Sequence, residues 1–213
     1  MLHIECFTFN AFQENTYVIH NNAKDCWIID PGMYDAAEVT HLKKYIADNQ
    51  LNPKAIINTH THIDHIFGVA AIKEAYNIPF GIHAKDAPVL NGAAGAAMLF
   101  GFTFGKAPEP DFFITEGSSP FAGLEDVQVL FTPGHSPGSI SFYSPNDKWL
   151  IAGDVLFNGS IGRTDLPGGD FNTLINSIKT QLFVLPEETV VYSGHGPNTT
   201  IRNEKLYNPF LQS

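Results

Sequence analysis

The sequence predicts a mixed α/β fold in which two β-sheets pack together with helices on the outside. Three observations predict it. Short runs rich in β-branched and aromatic residues recur in both halves of the chain. Amphipathic segments at helical spacing follow some of those runs in each half. Several of the runs end in a small or turn-forming residue followed by a histidine or aspartate, as expected where loops at a sheet edge carry the chemistry.

Leu2 to Phe9, Thr16 to His20 and Cys26 to Ile29 read as three consecutive strands, with Asn21-Asn22-Ala23 turning between the second and third. Asp30-Pro31-Gly32 stops the third, because proline cannot continue the ladder and glycine permits an unusual turn. Val39, Leu42 and Ile46 place one apolar stripe on a helix from about Asp35 to Asp48, with Asp35 as its cap. A buried strand over Ala55 to Asn58 and a helix from Ile66 to about Tyr76 follow, then a strand over Pro79 to His83 and a helical turn over Lys85 to Leu90. From Asn91 to Gly105 small residues alternate with Met98, Leu99, Phe100, Phe102 and Phe104; a core-packing segment and a mobile apolar lid both fit that pattern. In the second half, Val127 to Phe131, Ile140 to Tyr143, Trp149 to Ala152 and Thr189 to Tyr192 read as strands, and Asp170 to Leu185 as a helix. A last helix carries Arg202 and Lys205.

The chain has 213 residues, enough to bury a sizeable core, and a single domain over 1–213 is the simplest expectation. Its net charge of -10 argues against a nucleic-acid partner, whose binding requires many phosphates to be neutralised. No apolar run approaches the roughly 20 residues of a membrane span. The stretch Met1 to Asn10 lacks a basic region followed by a long apolar one, so with Met1 as the start a cytoplasmic protein is expected. Cys6 and Cys26 read as buried thiols, with a Cys6–Cys26 disulfide also compatible with the sequence.

The densest chemistry lies in Thr59-His60-Thr61-His62-Ile63-Asp64-His65, between the strand over Ala55 to Asn58 and its following helix. A lone histidine is usually a packed or surface residue. Three imidazoles and a carboxylate within six positions are metal ligands, since both groups suit zinc and other first-row ions. In a tight loop His60 and His62 can converge on one ion, leaving Asp64 and His65 to reach a second. Three further candidates follow strands in the second half: His135 in Thr-Pro-Gly-His, Asp154 in Gly-Asp, and His195 in Ser-Gly-His-Gly. Each alone is an ordinary turn residue. Together with the first cluster they form a ligand set delivered from distant parts of the chain.

THTHIDH, TPGHSPGS, AGDVLF and SGHG stand in the order and approximate spacing of the metallo-β-lactamase superfamily, and Asn15 in NTYVI and Asp30 in IIDPG resemble its early strand motifs. The likeness is strongest to the glyoxalase II-like, or hydroxyacylglutathione hydrolase-like, branch, whose short single-domain members carry a loop similar to Gly162-Arg163-Thr164-Asp165 through Asp170. The resemblance implies an αββα sandwich with two divalent metal ions at one edge, zinc first, with iron or manganese as alternatives. It implies that His60, His62 and His135 hold the first ion, that Asp64, His65 and His195 hold the second, and that Asp154 bridges them. The implied reaction is hydrolysis of a small-molecule thioester by hydroxide made available at neutral pH. Asp64 is a candidate to orient the water. Arg163 is a candidate to meet a substrate anion, with a surface salt bridge as the plainer reading.

Full-length glyoxalase II enzymes add a helical C-terminal domain that binds glutathione. Only 18 residues follow His195 here, so that domain is expected to be absent and S-lactoylglutathione is not assumed as substrate. Two alternatives accompany the hydrolase. A persulfide dioxygenase would use one iron on the positions of His60, His135 and Asp154, and a non-catalytic metal-binding protein would need no open coordination position. A β-lactamase is less expected without a visible export signal, and a nuclease is disfavoured by the acidic balance.

Overall fold

A computed structural model describes residues 2–121 and 127–212; Met1 and Ser213, the ends of the expected domain, lie outside the described residues. The chain divides into two compact units, one of Met1–Ile82 with Ala87–Ile114, the other of His83–Asp86 with Thr115–Ser213. Each contains one large mixed sheet, so the mixed α/β class with two such sheets is borne out.

The first unit opens with β1 (His3–Phe9), β2 (Glu14–His20) and β3 (Asp25–Ile29), an antiparallel meander. Asn10, Gln13 and Lys24 take positive φ in its turns. Helix α1 (Ala36–Asp48) then crosses over to β4 (Asn52–Ile57), which lies parallel to β3, and α2 (Val69–Tyr76) leads to the parallel β5 (Phe80–His83). The Asp35 carboxylate caps α1 as its sequence suggests, accepting from the Ala37 and Glu38 N–H groups at 2.8 and 2.9 Å. The short β6 (Phe112–Ile114) closes the edge beside β5. Three residues are too few for a period-2 signal, and the sequence reading passed over this strand.

Alternation decides what the sheet buries. Phe7, Phe9, Val18, Cys26, Ile28, Ile56, Phe80 and Ile82 share a core with Leu42 and Ile46 of α1 and with Val69 and Ile72 of α2. Each fully buried side chain of this size contributes about 1.5–3 kcal/mol. The segment that the sequence left between core and lid resolves into a helix, α3 (Ala87–Leu99), and an irregular stretch after it. Ala93 and Ala97 lie in the core, and Phe102 and Phe104 pack on Phe67 with ring centroids at 5.3 and 5.5 Å. Met98 and Leu99 remain largely exposed.

In the second unit β7 (Gln128–Phe131), β8 (Ile140–Ser144) and β9 (Trp149–Gly153) form a meander. A two-stranded hairpin, β10 (Leu156–Phe157) and β11 (Ser160–Ile161), precedes α4 (Phe171–Ser177). Then β12 (Val190–Ser193) pairs parallel to β9, β13 (Thr199–Thr200) pairs antiparallel to β12, and α5 (Ile201–Tyr207) ends the fold. The expected helix over Asp170 to Leu185 is corrected in its second half: α4 widens into a π turn over Ile178–Leu182, closed by Phe183 N–H donating to Ile178 O at 2.9 Å. The wider turn lets Leu174, Ile178 and Leu182 all enter the core. Among the described residues no helix is long and apolar enough to cross a membrane.

Both cysteines are free thiols, so the disulfide alternative does not hold. Cys26 is buried as expected, but Cys6 is exposed, a correction to its expected burial, because its side chain leaves the sheet on the face away from the core. Desolvation, outweighing a hydrogen bond with Tyr17, still pushes the Cys6 thiol up to about 11, and burial pushes Cys26 up to about 12. Only the thiolate alkylates readily. Iodoacetamide at pH 8 should therefore label Cys6 slowly, with a rate that climbs as the pH approaches 11, and Cys26 only after unfolding. Rapid labelling of native protein at pH 8, followed by mass spectrometry, would contradict this.

Candidate metal centre

The first unit supplies one half of the predicted ligand set. β4 ends at Ile57, and the chain passes through buried Asn58 and Thr59 into His60, Thr61 and His62 before a single 3-10 turn over Ile63–His65. The turn is closed by His65 N–H donating to His62 O at 3.1 Å. It gathers the imidazoles: His60 lies 4.8 Å from His62, edge-on, and 4.1 Å from His65, tilted, by ring centroids. Asp64 Oδ2 is 3.7 Å from His65 Nε2. His60 and His65 are buried, while His62 and Asp64 are half-buried.

Asp30 holds this cluster from beneath. It sits at the end of β3 with φ of 50°, a left-handed conformation that aspartate tolerates better than most residues. Its Oδ1 accepts from Thr59 N–H at 2.7 Å, and its Oδ2 accepts from the Thr59 hydroxyl at 2.6 Å and from His65 Nδ1 at 3.1 Å. The Thr59 hydroxyl has one proton, given to Asp30, so towards His60 Nδ1 at 3.1 Å it is the acceptor. His60 and His65 are thus both held as Nδ1–H tautomers, which places the lone pair of each ring on Nε2, ready for a cation. The ligand-type atoms of Asp30, His60 and His65 lie within 4.8 Å of one another. Because Asp30 already serves three donors on the Nδ1 side, it orients the imidazoles rather than joining them as a ligand.

Further residues fix the loop backbone. Asn58 Nδ2 donates to the carbonyls of His65 at 2.8 Å and His60 at 3.3 Å. Asn10 Nδ2 donates to those of Gly32 at 2.8 Å and Asp64 at 3.0 Å. A Cβ on Gly32 would fall 2.0 Å from Glu14 Oε2 and 2.5 Å from Asp64 O, so only glycine fits. Glu14 itself is fully buried, accepts from the Thr16 hydroxyl at 2.9 Å, and has its carboxyl raised well above the usual range, first by burial.

The second unit supplies the other half. Parallel pairing of β9 and β12 sets Gly153 opposite Ser193, and Gly194 N–H donates to Gly153 O at 2.8 Å. Asp154 and His195 therefore emerge side by side. His135 arrives after β7 through Gly134, whose φ of 132° brings it against the backbone of Leu174; a Cβ there would lie 2.3 Å from Leu174 N. Asp86 accepts from the Ser136 hydroxyl and from Gly138 N–H, the latter at 2.9 Å, and so pins the turn behind His135. His135 Nδ1 donates to Arg163 O at 2.8 Å, again directing the lone pair to Nε2. The result centres on one oxygen. Asp154 Oδ2 lies 3.5 Å from His135 Nε2 and 3.5 Å from His195 Nε2.

That separation fits a metal centre. Ligands about 2.0–2.2 Å from a tetrahedral ion stand roughly 3.3–3.6 Å apart, and neutral imidazole with carboxylate is a donor set that zinc and its neighbours accept.

The profile of the Metallo-beta-lactamase superfamily matches residues 9–195. The chain belongs to that superfamily. Hydroxyacylglutathione hydrolase GloC of Haemophilus influenzae is 38% identical over 214 residues, covering 100% of this chain and 99% of that protein. Among solved structures, the BLEG-1 B3 metallo-beta-lactamase is 40% identical with a TM-score of 0.91, covering 99% of this chain and 100% of that one. TTHA1623 in a di-iron-bound form is 41% identical with a TM-score of 0.88, covering 97% of this chain and 100% of that one.

The Arg163 side chain forms the surface salt bridge expected as the alternative to a substrate contact. Its guanidinium makes two bonds to Asp165, Nε to Oδ1 at 2.7 Å and Nη2 to Oδ2 at 2.8 Å, and both side chains are exposed. The pairing pulls the Asp165 carboxyl down to about 2. What reaches His135 is the Arg163 backbone carbonyl, which no side-chain reading can find. Thr59, Asn58 and Asn10 were likewise passed over; only the position of Asp30 in a strand-ending Asp-Pro-Gly hinted at its importance.

Proposed function

We infer that this chain is a metal-dependent hydrolase of a small-molecule thioester, working with two divalent ions. In this reading His60, His62 and His135 hold one ion, Asp64, His65 and His195 hold the other, and Asp154 serves both. The observation that supports it most is the placement of Asp154 Oδ2 at 3.5 Å from two imidazole Nε2 atoms, the arrangement a shared carboxylate needs. Bound there, two divalent ions would lower the pKa of a water towards about 7 and would polarise a carbonyl.

The residues of the chain do the rest. Asp30, Thr59 and the Arg163 carbonyl engage the Nδ1 side of three imidazoles and so aim each through Nε2. Asp64, half-buried beside His65, is the candidate to orient the attacking water by accepting its proton-bearing edge. A thiolate leaves without a strong proton donor, so the lack of an assigned general acid is no obstacle for a thioester. The full-length likeness to GloC supports this substrate class. Zinc is the first expectation for this His and Asp set, with iron and manganese as alternatives, and the likeness to a di-iron-bound structure supports iron among them.

The test is metal content of the purified chain together with turnover of S-lactoylglutathione, a simple acyl thioester, a chromogenic cephalosporin and a glutathione persulfide. About two ions per chain and metal-dependent cleavage of a thioester, with the cephalosporin and the persulfide turned over far more slowly, are expected. Oxygen uptake with the persulfide on one iron, or cephalosporin cleavage outrunning both thioesters, would reject the assignment.

A further inference from the structure

The C-terminal helix carries a buried carboxylate whose bonds lead to all three ligands of the second unit. Glu204, on α5, is fully buried. Its Oε1 accepts from the Thr199 hydroxyl at 2.6 Å and from Asn203 Nδ2 at 2.8 Å. Its Oε2 accepts from Gly159 N–H at 3.0 Å and from Asn208 Nδ2 at 2.7 Å. Asn208, also fully buried, donates from the same nitrogen to Ser160 O at 2.9 Å. Glu204 and Asn208 together therefore hold two backbone groups at the tip of the β10–β11 hairpin, Gly159 N–H and Ser160 O.

That hairpin is the strap between the ligands. It starts two residues after Asp154 and ends two residues before Arg163, whose carbonyl sets the tautomer of His135. The residue that follows its returning strand presses on its origin: a Cβ on Gly162 would fall 1.9 Å from Asp154 O and 3.1 Å from His135 Cβ. The hairpin also reaches the third ligand. Phe157 lies 6.2 Å from His195 by ring centroids, Asn158 Nδ2 donates to Asn198 O at 3.3 Å, and Ser193 Oγ donates to Leu156 O at 2.7 Å.

We propose that Glu204 is a positioning residue for the metal centre: by clamping the hairpin tip and Thr199, it sets the spacing of His135, Asp154 and His195. A carboxylate suits the task because its two oxygens accept four donors from three chain segments. A glutamine keeps the shape but turns one oxygen into an NH₂ group, which must face two donors.

Glu204→Gln and Asn208→Ala are compared with wild type and with Leu211→Ala, a core truncation in the same terminal segment that touches none of these bonds. Zinc affinity is measured by chelator competition, and the His135 tautomer of metal-free protein by long-range ¹H–¹⁵N correlation. The expected result is a zinc affinity lower by about 10- to 100-fold in Glu204→Gln, the range for residues that orient metal ligands, with loss of the single Nδ1–H tautomer at His135. Leu211→Ala, compared at matched loss of thermal stability, should keep both. If Glu204→Gln does not fold, Asn208→Ala decides with the same readouts. Equal zinc affinity and an unchanged tautomer in the clamp variants overturn the proposal. The affinity readout rests on the metal-binding reading above, whereas the tautomer readout does not: wild type that takes up no metal defeats that reading alone.

Discussion

Asp154→Ala should abolish thioester hydrolysis, with a loss larger than the roughly 10²–10³-fold that a single transition-state donor contributes. The reason is geometric. One oxygen of this residue stands 3.5 Å from two imidazoles of the ligand set, so its removal takes a shared ligand from both proposed ions at once. Metal content of the purified variant should fall below that of wild type. Stripping wild-type protein with a chelator should reproduce the loss, and added zinc should restore activity to wild type but not to the variant. Circular dichroism serves as the control for folding, since Asp154 is buried just after the end of β9. Turnover within tenfold of wild type would remove Asp154 from the assigned role.

The second large effect is expected from Asp30→Ala, and it is one of stability as much as of metal binding. The carboxylate accepts from Thr59 N–H, the Thr59 hydroxyl and His65 Nδ1 in a buried site. Each orphaned donor costs about 1–3 kcal/mol, and such losses do not add in full. A destabilisation on the order of 3–5 kcal/mol is expected, which for a chain of this size lowers the melting temperature by roughly 10 °C or more. Asp30→Asn should be milder in stability, because Oδ1 can still accept from Thr59 N–H, but not in metal affinity. Its NH₂ group would face the Thr59 hydroxyl and release the tautomers of His60 and His65. Thermal denaturation and zinc competition on both variants separate the two effects. A melting temperature within 2 °C of wild type for Asp30→Ala would show that the buried donors find other partners.

Much of the fold was legible. The runs at β1, β2, β3, β5, β8, β9 and β12 carry β-branched and aromatic residues between turn formers, and α1 announces itself by its stripe and its Asp35 cap. What escaped was short or irregular. β6, β10, β11 and β13 span two or three residues each, below the length at which alternation can be seen. The π turn after α4 preserves an apolar pattern that a regular helix would also show, so only hydrogen bonds distinguish them. Asn91 to Gly105 was ambiguous because alanine and glycine fit a helix, a loop or a core equally well by composition.

The types of the proposed ligands and their order along the chain were determined by sequence alone. His60, His62, Asp64 and His65 lie close in sequence, and His135, Asp154 and His195 each follow a strand and a small residue. Metal chemistry needs side chains of defined kind, and side chains are what a sequence lists. The tertiary structure decided how those side chains are held. The tautomers depend on a hydroxyl proton at Thr59, a carboxylate 29 residues earlier at Asp30, and a backbone carbonyl at Arg163. The Arg163 side chain, the more visible candidate, is occupied by Asp165. Backbone groups are the same in every residue, so which carbonyl meets which imidazole is set by the path of the chain and by nothing written in its letters.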